Sequence, residues 1–187
     1  MICLQNETKT RKSALSNSVY EIFGTLLVAL VLAVLLMTFV VRTVVVNGES
    51  MEPTFFDGER VIVSVSYDTV PSNQDVIVIS HAQNYDGKII KRVIATEGQT
   101  LSIDFENNQV IVDGVLLNEP YITGRTIEVD RAMEIPSVVP EGYVFVMGDN
   151  REASLDSRST VIGLIPVTSI IGKVEMRITP FDKFEIF

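Results

Sequence analysis

Twenty consecutive residues without a charge, Ile22 to Val41 (IFGTLLVALVLAVLLMTFVV), dominate what this chain can fold into. At about 1.5 Å per residue, a helix of that length reaches across a ~30 Å hydrocarbon core. A cleaved leader has a shorter apolar core, roughly 7–15 residues, and leaves through small side chains. The exit here is Phe39-Val40-Val41-Arg42-Thr43, which is bulky. The run therefore predicts an uncleaved transmembrane anchor and makes the lipid bilayer a partner. Lys9, Arg11 and Lys12 precede it, and Arg42 alone directly follows. The positive-inside rule then puts the N-terminus in the cytoplasm and everything after the span outside. This gives a cytoplasmic tail over 1–21, an anchor over 22–41 and an extracytoplasmic domain over 42–187, single-pass in the cytoplasmic membrane.

Charge narrows the partners of that domain. The chain carries a net −9, yet its first 42 residues hold four basic side chains against Glu7 and Glu21. The balance there is +2, so the remainder carries −11. Nucleic-acid binding rests on cationic contacts to phosphates, and an acidic body excludes it. Cys3 is the only cysteine and lies in the tail, so the domain has neither a disulfide nor a thiolate nucleophile. His81 is the only histidine, which rules out a multi-histidine metal site. Any Ser-His chemistry would depend on that one residue.

The domain reads as mostly β. Val61 to Tyr67, Val76 to Ile79, Ile89 to Ile94, Leu101 to Phe105, Gln109 to Val112, Tyr143 to Met147 and Ile170 to Ile178 are short runs rich in β-branched or aromatic residues. Asp113-Gly114 between QVIV and VLL is a hairpin signal. Prolines punctuate the intervals and leave no room for a long helix. Gly124 to Pro140 shows no clear period and reads as a loop with room for one edge strand.

Three segments carry chemistry. Gly48-Glu49-Ser50-Met51-Glu52-Pro53 puts a serine on a turn after Thr43-Val44-Val45-Val46. Lys88-Ile89-Ile90-Lys91-Arg92-Val93-Ile94 puts Lys91 on one strand face with Ile89 and Val93. A lysine among apolar neighbours loses charge stabilisation, its pKa falls, and it can serve as a general base. Gly148-Asp149-Asn150-Arg151 follows a strand, with Ser154, Asp156 and Arg158 behind it. Read singly, each has a plain alternative: a turn serine, a snorkelling edge lysine, a polar loop closed by Asx turns.

Read together, they do not. A span, then Gly-x-Ser-Met-x-Pro-Thr, then Lys-Arg-Val-Ile, then Gly-Asp-Asn-Arg-x-x-Ser-x-Asp-Ser-Arg closely resembles the type I signal peptidases, over nearly the whole chain. These are membrane serine proteases that remove signal peptides from exported preproteins. The resemblance implies an antiparallel β catalytic domain of the type shared with self-cleaving repressors. It implies Ser50 as nucleophile and Lys91 as general base, with Ser154 holding the lysine amine by a hydrogen bond. Met51 and Pro53 match residues that shape the nucleophile loop. Arg92 with Asp149, and Asp156 with Arg158, match structural ion pairs. Substrate is expected as an added strand, with Val44, Val46, Ile89 and Val93 lining shallow pockets for small side chains at the first and third positions before the cut. No metal or organic cofactor is implied.

The sequence departs from the family pattern in places. Val76 to Ile79 resembles a further short strand motif of the family, with Gln74-Asp75 in place of the Gly-Asp before it, and Ala95-Thr96-Glu97-Gly98-Gln99 replaces a Gly-x-Pro-Gly-Asp run. Gly48 stands where some members have a serine that helps bind the oxyanion, which leaves backbone N–H groups, chiefly that of Ser50. Three other readings compete: a self-cleaving repressor, disfavoured by the span and the acidic charge; a catalytically idle anchored β module that binds extended peptides; and a Ser-His hydrolase using His81.

Overall fold

The structure is a computed structural model that describes residues 20–34, 41–65 and 70–187. The chain divides into two compact units, Met1–Val40 and Val41–Phe187. In the first, residues 20–34 form helix α1. No helix among the described residues is long and apolar enough to cross a membrane. The anchor read over 22–41 includes residues 35–40, which lie outside the described residues, as do the tail residues Cys3, Lys9, Arg11 and Lys12.

Among the described residues the second unit holds eleven strands, and every pairing between them is antiparallel. β1 (Val41–Val45) pairs with β2 (Arg60–Ser64), and β2 with β10 (Ile170–Thr179). The sheet continues through β3 (Val76–Ile79), β4 (Ile89–Thr96), β8 (Tyr143–Met147) and β9 (Ile165–Pro166). β11 (Glu185–Ile186) pairs with β10 off this path. A second sheet holds β5 (Leu101–Asp104), β6 (Gln109–Val112) and β7 (Val115–Leu116). Asp113 and Gly114 turn β6 into β7 with φ of 52° and 75°. That is the left-handed pair a two-residue hairpin needs, which glycine adopts without strain.

Most apolar runs became strands with little change in bounds. Two differences have physical reasons. Val41, read as the last anchor residue, opens β1 and pairs with Ser64. VRTVV is β-branched enough to complete a sheet edge once β2 offers a partner. The segment 124–140 contains no strand; isolated bridges Thr100↔Val138 and Ala132↔Ser159 hold it. β9 and β11 are two residues each, too short to show a period. Pro166 sits on β9 at the sheet margin, where a missing N–H is tolerated.

Alternation along β4 builds the site. Ile90 packs with Val76, Val78, Val46, Met51 and Phe55 in one core cluster. Val93 packs with Ile77, Ile79, Val144 and Val146 in another, with Ile89 against it. Lys91 lies in register with Ile77, between these apolar residues. β8 joins β4 only from Arg92 onward, so residues 89–91 pair with β3 alone and keep one edge open.

Candidate active site

The turn that carries Ser50 is anchored from below. Met51 and Phe55 are fully buried, and the Phe55 N–H donates to the Met51 carbonyl at 2.8 Å. Gly48 has φ +84°, a left-handed backbone that strains any side chain, although a Cβ there would meet nothing within 4 Å. Backbone geometry therefore selects glycine at this position. The Gly48 N–H donates to Asp57 Oδ1 at 2.7 Å, so it is already committed. The Ser50 N–H has no partner among the described residues.

Lys91 Nζ stands 2.6 Å from Ser50 Oγ. The lysine is 3% exposed, and burial, the largest influence, lowers its pKa to about 8. Asp156 and then Asp149 pull it back up, and Arg158 pushes it down. Desolvation wins because neither carboxylate is free. Arg92 Nε and Nη2 grip Asp149 at 2.8 and 2.6 Å, and Arg158 Nε and Nη2 grip Asp156 at 2.9 Å each. A carboxylate already paired with a guanidinium offers the ammonium less.

These pairs also hold the loops. Asp149, in the loop after β8, accepts from the Thr54 hydroxyl and so ties the nucleophile turn to that loop and, through Arg92, to β4. Asp156 Oδ2 accepts from the Gly148 N–H at 3.0 Å. The Asn150 N–H donates to the Ser50 carbonyl at 3.1 Å, and Asn150 Nδ2 to the Glu49 carbonyl at 3.2 Å. A Cβ on Gly148 would overlap Ser154 Oγ and the Ser50 carbonyl oxygen, so only glycine lets the two loops meet. Asp149 is fully buried. Asp149→Ala would leave the Arg92 guanidinium buried and unpaired, a loss of about 3–5 kcal/mol. Chemical denaturation of this variant is expected to show a loss on that scale, together with impaired activity; a loss under 1 kcal/mol would mean the pair contributes little.

Some sequence-stated residues fall elsewhere. Ser154 lies against Gly148 and is 5% exposed, but its Oγ has no hydrogen-bond partner among the described residues, Lys91 included. Val44, Val46 and Ile89 line a cleft of about 360 Å³ with Ser50 and Lys91. Val93 does not: it is fully buried in the core beside Ile77 and Val146, one step further along β4. Tyr85 and Lys88 line the cleft instead, at the end of the loop into β4. His81 lies away from Ser50. Its Nδ1 is 2.9 Å from Ser80 Oγ and its Nε2 3.1 Å from Ser169 Oγ, so both ring nitrogens are engaged and the Ser-His reading of Ser50 is overturned.

Thr54, Asn150 and Arg151 were not singled out from sequence. Arg151 is fully buried, pairs with Glu119, and donates to Thr126 Oγ1 at 2.8 Å and to the Gly148 carbonyl at 3.1 Å. Its place inside the Gly-Asp-Asn-Arg segment was the available signal. Thr54 closes the Gly-x-Ser-Met-x-Pro-Thr segment, but nothing local shows its partner, since Asp149 is 95 residues away.

A serine hydroxyl at hydrogen-bonding distance from a buried lysine amine, beside an open strand edge, defines a peptidase-type site. The chain belongs to the signal peptidase family: the family model described as signal peptidase, peptidase S26, matches residues 19–179. The sequence is 36% identical over 173 residues to signal peptidase IB of Staphylococcus aureus (strain COL), spanning 84% of this chain and 88% of that one. It is 31% identical over 185 residues to signal peptidase I of Bacillus licheniformis, spanning 94% and 97%. A crystal structure of a signal peptidase I from Enterococcus faecalis V583 superimposes with TM-score 0.45 at 25% identity, over 56% of this chain and 97% of that one.

Proposed function

We propose that this protein is a membrane-anchored serine endopeptidase that removes N-terminal signal peptides from exported preproteins, with Ser50 as nucleophile and Lys91 as general base. The observation that carries the reading is the 2.6 Å approach of Lys91 Nζ to Ser50 Oγ, with the amine buried. Neutral Lys91 accepts the Ser50 proton as Oγ attacks the carbonyl at the end of the signal peptide. Lys91 then returns that proton to the leaving amine, the C–N bond breaks, and an acyl-enzyme remains. Water, deprotonated by Lys91, hydrolyses the ester. The Ser50 N–H is the available backbone donor for the oxyanion, since the Gly48 N–H is held by Asp57. One such donor is worth on the order of 3 kcal/mol in the transition state.

Substrate lies extended in the cleft between residues 44–50 and 88–91. The open edge of residues 89–91 supplies main-chain partners that fix register. Val44, Val46 and Ile89 shape shallow apolar pockets, which suit small side chains. The apolar run that ends before β1 anchors the enzyme with its N-terminus cytoplasmic and its catalytic domain, 41–187, on the side where exported proteins emerge. An idle peptide-binding module has no need of a buried lysine held against a serine, and no observation favours it.

Ser154 enters this mechanism as a positioning residue for Lys91 only after its side chain rotates from the unpartnered place beside Gly148 to accept from the lysine amine. Its hydroxyl is buried and unpartnered, so Ser154→Ala removes an unsatisfied polar group and should not lower the melting temperature. Turnover is expected to fall at least about tenfold with little change in KM, because the hydroxyl acts on the base and not on substrate binding. Unchanged turnover would reduce Ser154 to a loop residue.

The reading as a whole is tested by incubating the detergent-solubilised enzyme with a preprotein and sequencing the new N-terminus. Cleavage directly after a small-x-small exit, lost in Ser50→Ala, is expected. Cleavage elsewhere, or none, contradicts it.

A further inference from the structure

The nucleophile turn is also tied to a distant part of the chain through one buried side chain that no motif marks. Arg177, on β10, is 7% exposed. Its Nη1 donates to the Thr54 carbonyl at 2.7 Å and to Glu59 Oε2 at 3.1 Å. Its Nε donates to the Lys183 carbonyl at 2.7 Å, and its Nη2 to Glu185 Oε2 at 2.6 Å. The guanidinium carbon stands 5.7 and 5.8 Å from the ring centroids of Phe55 and Phe187, which are themselves 4.6 Å apart. One side chain therefore joins residues 183–187 to residues 54–59.

We propose that Arg177 and residues 181–187 form a latch that holds the Met51–Phe55 turn, and with it Ser50 Oγ, within reach of Lys91. This rests on the reading of Ser50 as nucleophile. Thr54 has two handholds. Its hydroxyl donates to Asp149, which fixes the turn to the loop after β8 and through Arg92 to β4; its carbonyl accepts from Arg177, which fixes it to β10. Phe55, one residue on, is clamped by the Phe187 ring on the same side. Releasing the Arg177 side leaves Thr54 held by Asp149 alone, while Glu49 and Ser50 keep only their carbonyl contacts to Asn150. The reacting atoms are in contact now, and a displacement of about 1 Å at a reacting centre can cost on the order of 100-fold in rate. An arginine is needed because its planar fork serves several acceptors at fixed angles, whereas a lysine ammonium is a point charge on a flexible stem. Buried Glu59 supplies the counter-charge that keeps the guanidinium in place. Arg177 does not line the cleft, so it is a positioning residue that acts through the turn.

The test uses the full chain in detergent micelles and a fluorogenic peptide with a small-x-small exit. Turnover and KM are measured separately, with a thermal melt of each variant. Arg177→Lys keeps the charge beside Glu59 but cannot bridge Thr54, Lys183 and Glu185 together. Its turnover is expected to fall roughly 10- to 100-fold while KM stays within about twofold, because the cleft lining is untouched. Phe187→Ala removes the ring against Phe55 and keeps every polar contact of Arg177; a fall of about threefold or more is expected, again in turnover. A folded Arg177→Lys enzyme with turnover within about twofold of wild type overturns the latch. If that variant is unfolded at the assay temperature, Phe187→Ala decides, and unchanged turnover overturns the proposal. Ser50→Ala is run alongside. Cleavage surviving in Ser50→Ala overturns the nucleophile assignment whatever Arg177 does, while its loss beside a normal Arg177→Lys removes the latch alone.

Discussion

Lys91→Ala and Lys91→His are each expected to abolish cleavage in a domain that stays folded. Lys91 reaches Ser50 Oγ at 2.6 Å with a four-carbon stem from the β4 backbone. Imidazole from the same position is too short to make that contact, and alanine offers no base. Removing one member of a catalytic unit costs on the order of 10⁴-fold or more in turnover. Stability should change far less, because two effects oppose. Truncating a large buried side chain leaves a cavity worth about 2–5 kcal/mol. Below pH 8 the wild-type domain already carries the cost of a buried ammonium. With the folded pKa near 8 against 10.5 unfolded, that cost is about 3 kcal/mol, which alanine removes. Melting temperatures near wild type are therefore expected at pH 7, with no cleavage. Substantial cleavage by Lys91→Ala, with His81 intact, would point to a different base.

Much of this site was legible in the sequence because it depends on local pattern. Alternation along Ile89–Ile94 placed Lys91 among apolar side chains, and the structure finds it nearly fully buried. Val76–Ile79, Gln109–Val112 and Tyr143–Met147 carry enough β-branched density to fix their own ends. What stayed hidden is long-range. The Val93 pocket assignment assumed that the face shared with Lys91 stays open along the strand. It fails because β8 joins β4 at Arg92, and Val93 beyond it packs against Val144 and Val146. Thr54 and Arg177 are 123 residues apart and carry no shared pattern. The hydrogen bond implied between Ser154 and Lys91 is not formed, since the hydroxyl sits beside Gly148 without a partner. A motif gives residue types and order, and rotamers are settled only by packing.

The account stands most directly on the protonation state of Lys91, and the pH dependence of kcat/KM reads it. Only the neutral amine can take the serine proton. Burial lowers its pKa to about 8, so activity should rise through an acidic limb centred near pH 8 and fall about tenfold per unit below it. The same shift has a signed effect on stability. The folded pKa lies below the unfolded value of 10.5, so the unfolded state binds the proton first. Stability from this group is full above pH 10.5, is lost as pH falls from 10.5 to about 8, and is flat below. Lys91→Met should remove that slope. A limb near pH 8 in the full chain, with the matching stability slope lost in Lys91→Met, is the predicted result. A kcat/KM that stays flat from pH 9 down to about pH 4 would show that the ammonium form is active and would contradict the Ser50–Lys91 mechanism.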